Sequence, residues 1–303
     1  MSPAGVARGA WRTVCSLGVA GALGASLAVA DIRLEQARPE PLQLAQPASR
    51  LVSLAPHLAE LVYAAGAGDL LLATVAWSDY PAAAERLPRI GDAFRFDLER
   101  ILSLKPDLVL AWDSGNPGSA LLGLENLGMR VWHVEITRPD DIARTLEAIG
   151  RATGREATAM EAAQQLRARL DTLRRRYAGR TPVRYFYQIG ARPLYTVDGT
   201  HLISQSLAMC GGQNVFAGIG SLAPQISHEA VLQANPEVLL AGRQDGSDED
   251  PLAQWRQWPR LQAVQNDALY YLNADHINRA TPRLLDSIEQ ACAFFDRYRE
   301  AQP

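Results

Sequence analysis

Glu99–Ala111 reads ERILSLKPDLVLA, and Glu229–Ala241, 130 residues further on, reads EAVLQANPEVLLA. The two stretches share Glu at the first position, Leu at the fourth, Pro at the eighth and Leu-Ala at the end, five identities in thirteen. Each predicts a short helix opened by a Glu and stopped at an X-Pro step, because proline removes an amide donor and pushes its predecessor out of the helical region. PDLVLA and PEVLLA then read as strands apolar on both faces, which parallel sheets bury. A unit recurring at this distance predicts two similar α/β lobes, each presenting one Glu at an equivalent place.

Working outward, strands alternate with helices on either side of the first copy. RLVSLA (50–55) precedes Pro56 and a helix to about Ala65, and LLLATV (70–75) is followed by the loop WSDYP (77–81). DLVLAW (107–112), a helix over Gly118–Leu127 and VWHVEI (131–136) complete a first lobe at 50–138. Such alternation implies a parallel sheet covered on both faces. Residues 139–180 form a linking helical segment divided by Gly154. Its second piece, Arg155–Ala178, carries Ala159, Ala162, Ala163, Leu166, Leu170 and Leu173 at helical spacing. At 1.5 Å per residue it spans about 35 Å, long enough to join two lobes. The alternation restarts in 181–303 with VRYFYQIG (183–190), PLYTV (193–197), a helix over Leu202–Met209, EVLLAG (237–242), ALYYLN (268–273) and a closing helix at Pro282–Arg297. The fold class expected is therefore α/β, two Rossmann-like lobes with central parallel sheets joined by one long α-helix.

The first thirty residues read differently. Arg8 and Arg12 precede an uncharged apolar stretch, Val14–Val29, and Ala28-Val29-Ala30 supplies a small-x-small cleavage site, the pattern of a secretory signal peptide cut near Ala30. A membrane anchor needs about 20 apolar residues, and this Gly/Ala-rich run is shorter. A lipoprotein anchor needs a Cys just after the run, whereas Cys15 lies at its start. The expected location is the periplasm. Residues 31–49, rich in Pro, Gln and Ala, read as a mobile lead-in. Without the leader two cysteines remain, Cys210 and Cys292. An even, low count in an oxidising compartment favours one disulfide. The alternatives, a metal site or a catalytic thiol, find no C-x-x-C and no His-rich partner, and export argues against the thiol.

Formal net charge is −3 with acidic and basic residues interspersed and no basic stripe, which argues against nucleic acid. Lys105 is the only lysine among the basic residues, a compositional bias rather than chemistry. No G-x-S-x-G, P-loop, G-x-G-x-x-G or H-E-x-x-H is present, and the five histidines (57, 133, 201, 228, 276) lack ligand-like spacing. The chain reads as a non-enzyme without cofactor or resident metal. It does place aromatics in loops after strands: Trp77, Tyr80, Phe94, Phe96, Trp112 and Tyr195. Ligands of open α/β sheets bind beyond the carboxyl ends of strands, where such rings suit a large, flat or apolar molecule.

SDYP (78–81), LERILSLKPDLVLAW with GN at 115–116, CGGQNVF (210–216), PQISHEAVL (224–232) and DHINRATPR (275–283) occur in order. Together they resemble the cobalamin-binding receptors of vitamin B12 ABC importers, a periplasmic class whose two lobes are joined by a rigid helix. The resemblance covers residues 50–298. It implies a corrinoid held between the lobes, aromatic contacts from Tyr80, Trp112 and Tyr195 (where the family has Phe), and polar contacts from Asp275 and Arg279. It implies a Cys210–Cys292 disulfide, docking of Glu99 and Glu229 onto membrane permease subunits of an ABC importer, and a monomer. The chain departs from the pattern in three places. Phe94 stands in for a Trp near Ala93-Phe94, Ala223 replaces another Trp, and His276 replaces an aromatic beside Asp275, where an imidazole could ligate cobalt. Haem and ferric-siderophore receptors share the architecture, and haem would draw an axial ligand from Tyr80 or His276. An exported α/β enzyme would need a nucleophile–base pair or a metal, and neither is visible.

Overall fold

The computed structural model describes residues 31–302; the expected leader, residues 1–30, lies outside them. The described chain contains the strands and helices β1 (Ile32–Leu34), β2 (Leu42–Leu44), β3 (Leu51–Ser53), α1 (Pro56–Ala64), β4 (Leu71–Ala73), α2 (Ala82–Glu85), α3 (Leu98–Ser103), β5 (Leu108–Trp112), α4 (Gly118–Asn126), β6 (Val131–Val134), α5 (Pro139–Thr153) and α6 (Glu156–Tyr177). There follow β7 (Val183–Gln188), β8 (Gly190–Ala191), β9 (Leu194–Tyr195), α7 (Leu202–Leu207), β10 (Gly212–Asn214), α8 (His228–Ala234), β11 (Val238–Arg243), α9 (Gln262–Gln265), β12 (Leu269–Asn273), α10 (Ala274–Ile277) and α11 (Leu284–Glu300).

Two four-stranded parallel sheets result, ordered β4-β3-β5-β6 and β10-β7-β11-β12. The orders superimpose element for element, so the repeated thirteen residues do mark two equivalent lobes. The equivalence extends to side chains. Asp97 accepts from the Arg100 N–H to cap α3, and the Ser227 hydroxyl accepts from the Ala230 N–H to cap α8. Both helices stop at a left-handed residue before the proline, Lys105 at φ 46° and Asn235 at φ 43°. Arg50, just before β3, donates to the carbonyls of Leu104 and Lys105; Arg184, in β7, donates to those of Ala234 and Asn235. These guanidinia satisfy carbonyls that a helix end leaves orphaned. Asp107 and Glu237, each next after the proline, accept from the Arg50 and Arg184 backbone N–H groups, which pins the register of each strand pair.

Alternation along the strands sorts the core. Leu51, Leu108 and Leu110 of the first sheet and Tyr185, Tyr187, Val238 and Leu240 of the second belong to one continuous apolar cluster, shared with α5 and α6. Val52, Val109 and Ala111 face a separate cluster in the first lobe, and Phe186, Leu239 and Ala241 face another in the second. The linking helix α6 buries Ala159, Ala163, Leu166, Leu170, Leu173 and Tyr177 along one stripe, and Gly154 at φ 69° ends α5 ahead of it. Gly150 is where the two helices meet most closely, since a Cβ there would lie 2.5 Å from that of Ala159. One core therefore runs beneath both sheets, which resists hinge motion between them.

Two expectations need correcting. The lead-in 31–49 is an antiparallel ribbon, β1 paired with β2, because Leu34, Leu44 and Ala48 bury against the shared core. PLYTV does not join the parallel sheet: Leu194–Tyr195 pairs with Gly190–Ala191 in a separate two-stranded antiparallel ribbon and bridges Gln225. The edge strand of the second sheet is instead β10, within CGGQNVF. Cys210 and Cys292 are bridged, with Cα atoms 5.4 Å apart, tying the start of that edge strand to α11. No helix among the described residues is long and apolar enough to cross a membrane.

Candidate functional site

The carboxyl ends of both sheets open onto one cavity of about 620 Å³, as the topology of open α/β sheets requires. From the first lobe come Pro56 and His57 beyond β3, Trp77 beyond β4, Phe94, and Trp112 at the end of β5. From the second come Thr200, His201 and Leu222, and Asp275, Asn278 and Arg279 beyond β12. Most of its surface is apolar, with polar groups contributed by both lobes, Asp92 and Glu135 from the first and Asp275, Asn278 and Arg279 from the second.

Asn116 holds the first-lobe wall in shape. Its side-chain oxygen accepts from the Trp112 N–H (2.7 Å) while its amide donates to the carbonyls of Leu54 (2.9 Å) and Ala93 (2.8 Å). Three loops that follow different strands are thus tied at one buried side chain, every bond of which is intramolecular. Gly115 beside it is required by contact: a Cβ would stand 2.1 Å from the Trp112 ring. His57 meets that ring edge to face, centroids 5.3 Å apart. Burial, reinforced by the positive charge of Arg279, lowers the His57 pKa to about 4, so its imidazole is neutral at physiological pH. At the rim, Trp77 and Phe94 are 74% and 72% exposed. Trp77 sits at φ 66°, a left-handed conformation that costs of order 1–3 kcal/mol for a bulky residue and keeps the indole presented to the opening.

On the second lobe, His201 caps α7 by accepting the Ile203 N–H at Nδ1 (3.1 Å), which leaves Nε2 as the protonated nitrogen. Desolvation lowers its pKa against the pull of Asp198. Arg279 is held by Asp275 (3.0 Å) and reaches across to Asp79 of the first lobe. One turn on, Arg283 grips the buried Glu60 of α1 through two bonds of 2.7 and 2.6 Å.

Of the residues expected at the site, Phe94, Trp112, Asp275 and Arg279 line the cavity. Tyr80 does not; its ring lies under the Arg283 guanidinium, 3.9 Å from the centroid, beside the inter-lobe ion pairs. Tyr195 sits exposed on the β8–β9 ribbon, bridged to Gln225 and off the cavity wall. His276 is directed away from the cavity into a shallow depression with Arg243, Tyr271 and Asp286, because the short helix α10 turns Asp275 and Asn278 inward and His276 outward. The expected cobalt-facing role of His276 is therefore corrected. Glu99 and Glu229 are exposed at the second position of α3 and α8. Glu229 accepts from its own backbone N–H and from Ser227, which holds its carboxyl below the usual range. Trp77, picked out by its loop position, also lines the cavity. The residues that sequence reasoning missed are His57 and Asn116. The GN pair was the available signal for Asn116, whereas nothing in the sequence separated His57 from the other histidines.

The profile of the periplasmic binding protein family matches residues 51–276. A vitamin B12-binding protein of Vibrio cholerae serotype O1 is 41% identical over 252 residues, covering 82% of this chain and 89% of that protein. One from Yersinia pestis is 40% identical over 248 residues, covering 82% and 86%. The crystal structure of the periplasmic vitamin B12 binding protein of Vibrio cholerae superimposes with a TM-score of 0.78 at 39% identity, over 84% of this chain and 99% of that one. A periplasmic heme-binding protein of Roseiflexus shares the fold, with a TM-score of 0.70 at 22% identity over 84% and 99%.

Proposed function

The chain belongs to the periplasmic binding protein family, and from that premise we propose that it captures a corrinoid, vitamin B12, in the cavity between its lobes. It is a binding protein and not an enzyme. The observation that supports the ligand most directly is the cavity itself: an apolar wall built on Trp112, two exposed rings at the mouth and an Arg–Asp cluster opposite. A flat macrocycle with an amide-bearing periphery matches that division, its faces against the rings and its amides toward Asp275, Asn278 and Arg279. Tyr80 and Tyr195 lie outside the cavity wall and would join only the periphery of a bound corrinoid. The relatives covering most of the chain carry the vitamin B12-binding name, whereas the heme-binding neighbours share only the fold.

Delivery to an ABC importer follows from the family. Glu99 and Glu229, one per lobe and both exposed, are the groups proposed to dock on the permease subunits, with the protein acting as a monomer in the periplasm after loss of residues 1–30. The shared core argues for small closure, so recognition would rest on these contacts more than on a large change of shape. Titration of the mature protein with cyanocobalamin tests the ligand: binding at micromolar or tighter concentration is expected, and its absence there would sink the assignment. An absorption spectrum of protein from haem-replete cells separates the haem alternative, which requires a Soret band.

A further inference from the structure

His57 differs from the other four histidines in having nothing to bind. His133 lies between Asp113 and Glu125, both at 2.9 Å; His201 accepts a backbone N–H; His228 pairs with Gln254 at 3.1 Å; and His276 faces Asp286 at 3.9 Å. Among the described residues, neither ring nitrogen of His57 has a hydrogen-bond partner or a carboxylate within 4 Å, although the residue is only 9% exposed. Its exposed remnant opens into the cavity. With no protein partner and its exposed edge on the cavity, the imidazole is free to take its partner from a molecule bound there.

The surroundings select the chemistry of that partner. His57 is the second residue of α1, behind Pro56, and its ring is wedged edge to face against Trp112, so its direction is fixed by two rigid elements. Arg279, across the cavity, disfavours a proton on the ring, and no carboxylate stands near to attract one. A neutral, oriented imidazole with a free lone pair facing an apolar wall is the usual form of a metal ligand. Resting on the corrinoid reading, we infer that His57 coordinates the cobalt of the bound corrinoid at an axial position, and so makes the protein prefer corrinoids whose axial ligand exchanges readily. The step is a ligand substitution. The ring nitrogen donates its lone pair to cobalt(III), the bound water leaves, the other ring nitrogen keeps its hydrogen, and the cobalt oxidation state does not change.

Aquocobalamin, whose water exchanges, and cyanocobalamin, whose cyanide does not, divide the outcomes. The mature protein, His57→Ala and His57→Gln are each titrated with both, after circular dichroism and melting have established that the variants fold. The wild type is expected to move the visible bands of aquocobalamin to longer wavelength, toward those of aquocobalamin mixed with free imidazole. It is also expected to favour aquocobalamin over cyanocobalamin by roughly tenfold or more, which corresponds to about 1.4 kcal/mol. Both variants lose the band shift, and their preference collapses toward one. Binding of both corrinoids by the wild type without a shift or a preference overturns the coordination while leaving the corrinoid reading intact. An equal loss for both corrinoids in the variants does the same, since it marks a hydrogen bond to the periphery. Failure of the wild type to bind either corrinoid overturns the reading and the coordination together.

Discussion

Arg279 of the second lobe holds Asp79 of the first through two bonds, Nη1–Oδ1 at 2.5 Å and Nη2–Oδ2 at 3.1 Å, and four residues later Arg283 holds Glu60 in the same two-pronged way. The pairs differ in burial. Glu60 is 3% exposed at its side chain and Asp79 49%. A half-exposed pair is screened by water and contributes up to about 1 kcal/mol, whereas removing one partner of a buried pair strands the other charge and costs about 3 kcal/mol. Glu60→Gln should therefore destabilise much more than Asp79→Asn in urea unfolding. Equal effects would mean that both pairs are solvated.

Acid should act on Asp79 and His57, both in the first lobe, in separate windows. The bond to Arg279 holds Asp79 below its ordinary value of 3.8, so its contribution is complete above that pH and disappears as the pH falls beneath it. His57 has its pKa lowered from 6.5 to about 4. The unfolded chain takes up a proton below 6.5 that the folded chain refuses until about 4, so stability falls across that interval, by up to about 3 kcal/mol. Melting between pH 7 and pH 4.5 should fall more steeply for the wild type than for His57→Asn. Parallel curves would show that His57 is not the group being titrated.

Lys105 and Asn235 occupy the same left-handed position before the two prolines, and only asparagine tolerates it well. Lys105→Asn should raise stability by roughly 0.5–1 kcal/mol. The Arg50 bond to the Lys105 carbonyl survives, being made to the backbone. Denaturant unfolding checks the sign, and a loss of stability would mean that the lysine side chain contributes something beyond its backbone.

Those thirteen repeated residues made the architecture legible because helix stop, X-Pro step and buried strand are all local events. The linking helix was legible for the same reason: its apolar stripe and the dividing Gly154 lie within one stretch of chain. β10 was not, since Gly212-Gln213-Asn214 has no strand-forming pattern and becomes a strand only because Tyr185 and its neighbours offer an edge. The ribbon at 31–49 escaped notice because three buried apolar residues are diluted among Pro and Gln. At the site, loop aromatics were visible as a type but not in direction. Tyr80 is drawn under Arg283, a partner about two hundred residues away in sequence, and one step around α10 decides that Asp275 faces the cavity while His276 does not.

The Cys210–Cys292 bridge closes a separation of 82 residues. Cross-linking that span restricts the unfolded chain by about 4 kcal/mol in the loop-entropy picture. Both sulfurs are buried in the shared core beside Phe295, so Cys210→Ala with Cys292→Ala adds small cavities to the entropic loss. Reduction of the wild type in urea should lower the unfolding midpoint, and the double variant should match or fall below the reduced protein. A midpoint unchanged by reductant would show that the bridge adds no stability.

Glu99 and Glu229 occupy the same turn of equivalent helices, outside the cavity and exposed to solvent. Neither makes an ion pair with any described residue, and the bonds of Glu229 are local ones at the start of its own helix. Two carboxylates displayed by lobes of one design suit a membrane partner made of two similar subunits, each offering arginine. On that proposal, Glu99→Ala with Glu229→Ala leaves cobalamin affinity at the wild-type value, since no cavity contact is altered, but weakens association with the permease complex in nanodiscs by roughly tenfold or more at low salt. The single variants should fall between, and rising ionic strength should erase the difference as the charges are screened. Loss of cobalamin binding in the double variant would contradict the docking role, because it would place these carboxylates in the support of the cavity rather than on the face that meets the transporter.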